Sequence, residues 1–161
     1  MSDDDSKPSL LKHEGEFRWA NVPRQEYKSP GDHWRGVSRT ELIAEIARAE
    51  LPFHVRYFEI EPQGYSSREK HAHEHVVIVT RGHGTVDLEG TSKAIEEGDI
   101  VHVRSWQTHQ FRNTDSTLPL GFYCIVAAER DRPIVEGGSA SACELPSRTS
   151  ALDAGASTSV K

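Results

Sequence analysis

The stretch GYSSREKHAHEHVVIVTRG, residues 64–82, carries three histidines, His71, His73 and His75, at every second position. In an extended strand, side chains at i, i+2 and i+4 lie on the same face. Imidazoles that point into a closed interior must be hydrogen-bonded or bound to a metal, because each unpaired polar group there costs roughly a few kcal/mol. The stretch therefore predicts a strand whose inner face binds a metal ion.

A second stretch, GDIVHVRSWQTHQFRN, residues 98–113, offers a fourth imidazole, His109, on a strand that follows a tight turn. Antiparallel pairing would return this strand to the cavity predicted for the first three histidines. The two stretches together predict one histidine-rich site.

Short strand-like runs separated by Gly, Pro, Asn and Asp surround these stretches, and they predict an all-β sandwich or barrel, most simply a jelly roll. The runs cover residues 53–61, 66–70, 75–80, 84–89, 92–96, 100–103, 108–113 and 120–128. Before them, apolar residues at helical spacing predict one short helix over 41–50, with Thr40 as its N-cap and Pro52 as its stop.

A length of 161 residues favours one domain. We expect an N-terminal arm over 1–35 that is partly ordered, a barrel domain over 36–134, and a disordered tail over 135–161, which is rich in Ser, Ala, Thr and Gly. Open sheet edges and the aromatic residues of the arm favour a homodimer in which residues 15–35 cross to the partner.

Charge and composition exclude several classes of partner. A net charge of −6 without clustered Lys and Arg argues against nucleic acid, and the absence of an apolar run of about 18 residues argues against a membrane span. We therefore expect a cytosolic protein whose partner is a small-molecule substrate. One of the two cysteines, Cys124, lies in an apolar run and is predicted to be a small buried hydrophobic residue. The charged run 129–133 is predicted to form ion pairs where the last strand ends.

The two histidine stretches resemble the two motifs of the cupin superfamily, in particular its small single-domain, quercetin-dioxygenase-like members of the cupin_2 type. The second motif fits at every spacing from Gly98 through His109 to Asn113, with Arg104 and Trp106 in place of its usual Pro and Gly. The resemblance implies a double-stranded β-helix, that is, a jelly-roll barrel, holding one divalent transition metal per chain.

The first motif leaves two ligand sets open. The ungapped register, which we favour because glycines anchor it at both ends, implies the ligands Glu69, His71, His75 and His109. A turn two residues shorter implies His71, His73, His75 and His109, with Glu69 and Glu74 orienting them. Imidazole ligands suit Fe, Mn, Ni, Cu, Co and Zn, so the ligand types do not name the ion.

Three hypotheses for function follow from the resemblance. The leading one is a metal-dependent dioxygenase or other oxidoreductase acting on a small organic substrate bound directly to the ion. The second is a non-oxidative isomerase, lyase or decarboxylase in which the ion is a Lewis acid and His73 or Glu74 moves a proton as the catalytic residue. The third is a binding protein in which the metal organises a pocket without turnover.

Overall fold

The computed structural model describes residues 10–29, 31, 33–43 and 51–136, and these residues form strands and turns without a helix. No helix in this part of the chain is therefore long and apolar enough to cross a membrane. The strands are β1 His13–Gly15, β2 Arg18–Trp19, β3 Arg24–Glu26, β4 Arg35–Ile43, β5 Phe53–Tyr65, β6 Glu69–Lys70, β7 His75–Arg81, β8 His83–Leu88, β9 Thr91–Glu96, β10 Ile100–Val103, β11 His109–Asn113, β12 Leu120–Ala127 and β13 Ile134–Val135.

Eleven of the strands form one curled antiparallel sheet. One half of it runs in the order β10-β7-β12-β5-β4-β3, and the other half runs β9-β8-β11-β6-β13. The two halves meet where Arg112 of β11 pairs with Tyr65 of β5. Long-range antiparallel pairs of this kind leave few open edges, as in a jelly roll.

The core lies between the two halves of the sheet, because both contribute alternate apolar side chains to it. From β7 come Val77 and Val79, both essentially inaccessible to solvent, and from the opposite half come Val86 and Phe111. Alternation at period 2 is what a strand with one buried face requires. The histidine of β7, His75, lies on the same face as these valines and therefore also points inward.

Strand β5 is buried on both faces. Phe58 belongs to the main core, whereas Tyr57 packs outward in a second cluster with Trp19 and Leu42. Phe17 stacks on the ring of Tyr57 with centroids 4.9 Å apart and planes at 3°. The N-terminal segment thus covers the outer face of the sheet within its own chain, and the homodimer stays a prediction.

The strand predictions are confirmed, since each of the eight runs overlaps one strand from β5 to β12, and the jelly-roll fold class is confirmed with them. The helix predicted for 41–50 is wrong over 41–43, which belong to β4. There Thr40 and Leu42 are buried and Glu41 between them is not, because seven residues of β4 pair with β5 and the extended strand turns alternate side chains to opposite faces. Residues 44–50 lie outside the described residues.

Strands pair on both sides of the predicted barrel range 36–134, and the division into arm, barrel and tail stays a prediction. Strand β3 pairs with β4, so the sheet begins before residue 36, and β13 pairs with β6 through Ile134 and Val135. The tail predicted for 135–161 lies outside the described residues from 137 onward.

Replacing Leu42 tests the alternation along β4. Leu42→Ala empties a buried site next to Trp19 and Tyr57, so we expect it to lower the free energy of unfolding by about 2–4 kcal/mol. Its neighbour Glu41 is partly exposed, and Glu41→Ala should cost less than about 1 kcal/mol. Urea denaturation measures both, and equal losses would contradict the assignment of a strand here.

Candidate metal centre

Three imidazoles converge at one end of the barrel. His71 follows β6, His75 begins β7 and His109 begins β11, and one ligand atom from each lies within 4.8 Å of the other two. Strand pairing positions these residues. His109 of β11 pairs with Glu69, which lies two residues before His71, and His75 of β7 pairs with Val103 of β10. The ring centroids are 4.9–5.1 Å apart.

Each of the three imidazoles has a partner at Nδ1. Nδ1–H of His71 donates to the backbone oxygen of His73 at 2.7 Å, and Nδ1–H of His109 donates to the backbone oxygen of Gln107 at 2.9 Å. Nδ1 of His75 contacts Sγ of Cys124 at 3.2 Å, and its Nε2 is buried without a hydrogen-bond partner among the described residues. For His71 and His109, the carbonyl partner holds the ring in the tautomer that keeps the Nε2 lone pair for a metal.

The electrostatics of the cluster favour neutral imidazoles. Burial lowers the pKa of His71 to about 4. Burial and the neighbouring imidazoles lower the pKa of His75, and burial with the charge of Lys28 lowers the pKa of His109. A neutral imidazole is the form that binds a metal ion. Three neutral nitrogen donors with one orphaned Nε2 therefore fit a transition-metal ion.

The cluster opens into a cavity of about 470 Å³ that runs between the two halves of the sheet. This volume is typical of sites for small molecules. Phe58, Phe111 and Phe122 supply apolar wall, and charged side chains from β4, β5 and the segment after β12 also line the cavity.

Comparison with known proteins agrees with this geometry. A family model described as a cupin domain matches residues 56–126. A relative from Rhodospirillum rubrum, 1-methylthio-D-xylulose 5-phosphate methylsulfurylase, is 34% identical over 134 residues, which are 83% of this chain and 83% of the relative. The chain belongs to the cupin superfamily.

Solved structures of other cupins superpose on the chain. A cupin 2 conserved barrel domain protein from Rhodopseudomonas palustris is 38% identical, with a TM-score of 0.71 over 79% of this chain and 86% of that chain. A cupin 2 domain-containing protein from Halorhodospira halophila is 35% identical, with a TM-score of 0.61 over 80% of this chain and 83% of that one.

The three imidazoles are the residues that both expected four-ligand sets share, and the fourth ligand, Glu69 or His73, stays a prediction. Glu69 reaches the cavity wall, but its Oε2 accepts hydrogen bonds from Lys28 Nζ and Ser67 Oγ. Burial alone would raise the pKa of Glu69, yet the ammonium and hydroxyl outweigh burial and hold that pKa below its ordinary value. Glu69 is therefore a carboxylate tied by one oxygen to Lys28 and Ser67, on the wall of the cavity that the histidines also line.

His73 lies beside the cluster without joining it. Its ring stacks on that of His71, with centroids 3.7 Å apart, and its Nδ1 lies 2.7 Å from Oδ1 of Asp131. The same carboxylate accepts the backbone N–H groups of Ala72 and His73, which lower the pKa of Asp131. An imidazole held by a carboxylate beside a metal site is suited to hold and transfer a proton.

Glu74 is not brought to the cavity. Its carboxylate is exposed and accepts a hydrogen bond from Nε2 of His102 at 2.8 Å on the outside of the barrel. The pairing of β7 with β10 explains this, because residues next to His75 alternate to the opposite face. The structure therefore places the carboxylate of Glu74 outside the cavity, and a role for Glu74 in proton transfer stays a prediction.

Sequence reasoning missed cavity residues that lie far from the histidine motifs. Lys28 and Arg56 were not singled out, and Cys124 is buried as expected but also contacts a candidate ligand. In the run 129–133, which was predicted as an ion-paired strand exit, Asp131 pairs with His73 and Arg130 lines the cavity. One sequence signal for Arg56 was available, since it lies two residues before Phe58 in β5 and therefore on the same inner face. A cation on a core-facing position of a strand is uncommon without a function.

Removing single imidazoles tests the metal centre. We expect His71→Ala, His75→Ala and His109→Ala each to weaken Zn²⁺ binding by at least about 100-fold, because each removes one of three donors. Glu69→Gln leaves all three donors in place and should weaken it by less than about tenfold. Isothermal titration of the chelator-treated protein measures this, with His83→Ala on the surface as control. A loss for Glu69→Gln as large as for the histidines would identify Glu69 as a ligand.

The lowered histidine pKa values predict a stability that depends on pH in the metal-free protein. Above about pH 6.5 the imidazoles are neutral in both folded and unfolded chains, so their contribution is fully present. Below it the unfolded chain takes up protons first, so the free energy of unfolding should fall, by up to about 1.4 kcal/mol per pH unit for each imidazole, until the folded state also protonates. For His71 this occurs near pH 4.

Urea denaturation in chelator between about pH 7 and pH 5 measures this slope. In His71→Gln, which carries one imidazole fewer, the slope should be smaller. Identical slopes for the two proteins would show that His71 is not held neutral by the fold.

Proposed function

We propose that this cupin is a metal-dependent enzyme that acts on a small phosphorylated ketose carrying a methylthio group, the class of compound for which its Rhodospirillum relative is named. Identity of 34% extends over 83% of both chains, so the similarity includes the site as well as the barrel. The cavity of about 470 Å³ suits a molecule of this size.

The observation that carries the proposal is the group of three neutral imidazoles at the end of that cavity. A divalent ion held by them would supply a Lewis acid for the ketone oxygen. In the reaction, a thiol attacks the methylthio sulfur and departs as the mixed disulfide, the C–S bonding pair stays on the carbon next to the ketone as an enolate, and a proton then adds to that carbon. Three protein donors leave room for a substrate atom in the coordination sphere.

The chain's own residues supply the remaining functions. His73, paired with Asp131, is placed to hold or transfer a proton next to His71. Burial raises the pKa of Cys124, so this residue is a neutral thiol that contacts His75 at the cavity wall. The three phenylalanines of the wall exclude water from the reacting end.

A direct assay tests the function. Protein loaded in turn with Fe, Mn, Ni, Cu, Co or Zn and supplied with a thiol is given 1-methylthio-D-xylulose 5-phosphate, and loss of the methylthio group is followed by mass spectrometry. We expect turnover with at least one metal and a loss of at least about 100-fold in His109→Ala, whereas His83→Ala retains it. Absence of turnover with every metal would contradict the proposal.

Two further variants assign roles within this reaction. If His73 transfers a proton, His73→Gln should lower kcat by about 10²–10⁴-fold with little change in metal binding. Cys124→Ser separates two roles for the thiol, orienting the ring of His75 and taking part in the reaction, because a serine hydroxyl still contacts Nδ1 of His75. Turnover that survives Cys124→Ser means that Cys124 only orients the ring.

Oxygen-dependent oxidation is the second candidate, and the three-imidazole donor set is compatible with it because imidazole binds redox-active Fe and Cu as well as Zn. Comparing substrate consumption in air and under nitrogen distinguishes the two. Equal rates support the non-oxidative reaction, and consumption only in air supports a dioxygenase.

A further inference from the structure

Three guanidinium groups from separate parts of the chain line one wall of the cavity. Arg39 comes from β4, Arg56 from β5 and Arg130 from the segment after β12. The registers bring them together, since β4 pairs with β5 and Arg56 lies directly across from Cys124 of β12. Arginines so close repel each other, and burial followed by the charges of Arg56 and Arg39 lowers the pKa of Arg130.

Two of these guanidiniums carry a buried donor without an acceptor. The Nε atoms of Arg39 and Arg56 are buried and have no hydrogen-bond partner within the described residues. Arg39 Nε lies 3.3 Å from Oε1 of Glu41, which is an ion pair without the direction of a hydrogen bond. Buried donors in a native structure are nearly always satisfied, so an unsatisfied pair on one wall points to an absent acceptor.

The charge around this wall is opposite in sign to that of the protein. The chain carries a net charge of −6. Yet five cationic side chains and only two carboxylates line the cavity. Both carboxylates are engaged elsewhere, Glu69 by Lys28 and Asp131 by His73. Among the described residues, no carboxylate lies within 4.0 Å of the guanidinium of Arg56 or Arg130.

We propose that Arg39, Arg56 and Arg130 form the binding site for the phosphate group of the substrate. The planar guanidinium offers paired N–H donors that match phosphate oxygens, which is why arginine is used for this recognition. Nη2 of Arg56 also donates to Sγ of Cys124, which contacts the candidate ligand His75, so the anion site adjoins the metal end. The identity of the ligand rests on the proposed function, whereas its charge follows from the wall itself.

Binding of inorganic phosphate to the full chain tests this site without any turnover. Calorimetric titration in chelator, at constant ionic strength, excludes phosphate held by a metal ion. We expect binding by the native protein, weakened at least about tenfold in Arg130→Gln and Arg56→Gln. Arg112→Gln is the matched control, since Arg112 bonds to Gln110 on β11 and does not line the cavity. Glu41→Gln removes a competing anion from Arg39 and should tighten binding.

Several outcomes would overturn the site. These are no phosphate binding by the native chain, equal binding of acetate and phosphate, or unchanged affinity in Arg130→Gln and Arg56→Gln. Arg56 also contacts Cys124, so a weaker binding of phosphate by Arg56→Gln could reflect misfolding. Arg56→Lys, which keeps the positive charge, and circular dichroism of each variant test for this.

The site and the proposed function fail separately. Phosphate binding that depends on these arginines, in a protein that does not consume the methylthio ketose phosphate, would keep the site and reject the reaction. Turnover with an unchanged KM in Arg130→Gln would keep the reaction and reject the site.

Discussion

His75 and His109 begin two strands that are distant in sequence, and they meet only if β7 and β11 keep their registers. A slip of one residue in either strand would turn every side chain to the opposite face. The apolar core resists such a slip, because Val77 and Val79 share the inner face of β7 with His75. The register that buries the valines is therefore also the register that brings the imidazoles together. A loss of core packing would separate the residues of the candidate metal centre.

Polar groups buried in this interior need hydrogen-bond or ion-pair partners, and several of these partners come from segments distant in sequence. Backbone oxygens and the Cys124 thiol occupy Nδ1 of the three candidate ligands. Lys28, from the N-terminal segment, neutralises Glu69. That segment also covers the outer face of β5 with aromatic rings. Residues before the barrel therefore shape both the stability of the sheet and the charge of its cavity.

Positions of strands were predictable, but one local pattern was misleading. The residues after Thr40 carry apolar side chains at spacings that suit a helix as well as a strand, and β4 is decided by its pairing with β5. The same limit applies to Glu69, which the glycine spacing predicts as a ligand. Its carboxylate accepts a hydrogen bond from Lys28, 41 residues away in sequence, and no local motif could reveal that contact.

By itself the sequence determined the jelly-roll class, eight of its strands and the three histidines common to both ligand sets, because period-2 alternation and motif spacing are properties of neighbouring residues. Only the tertiary structure decided that Glu74 faces outward, that His73 is held by Asp131 and that three arginines share a wall. Those outcomes depend on contacts between segments far apart in sequence. Such contacts are set by strand register and by competition among partners, which a linear pattern does not contain.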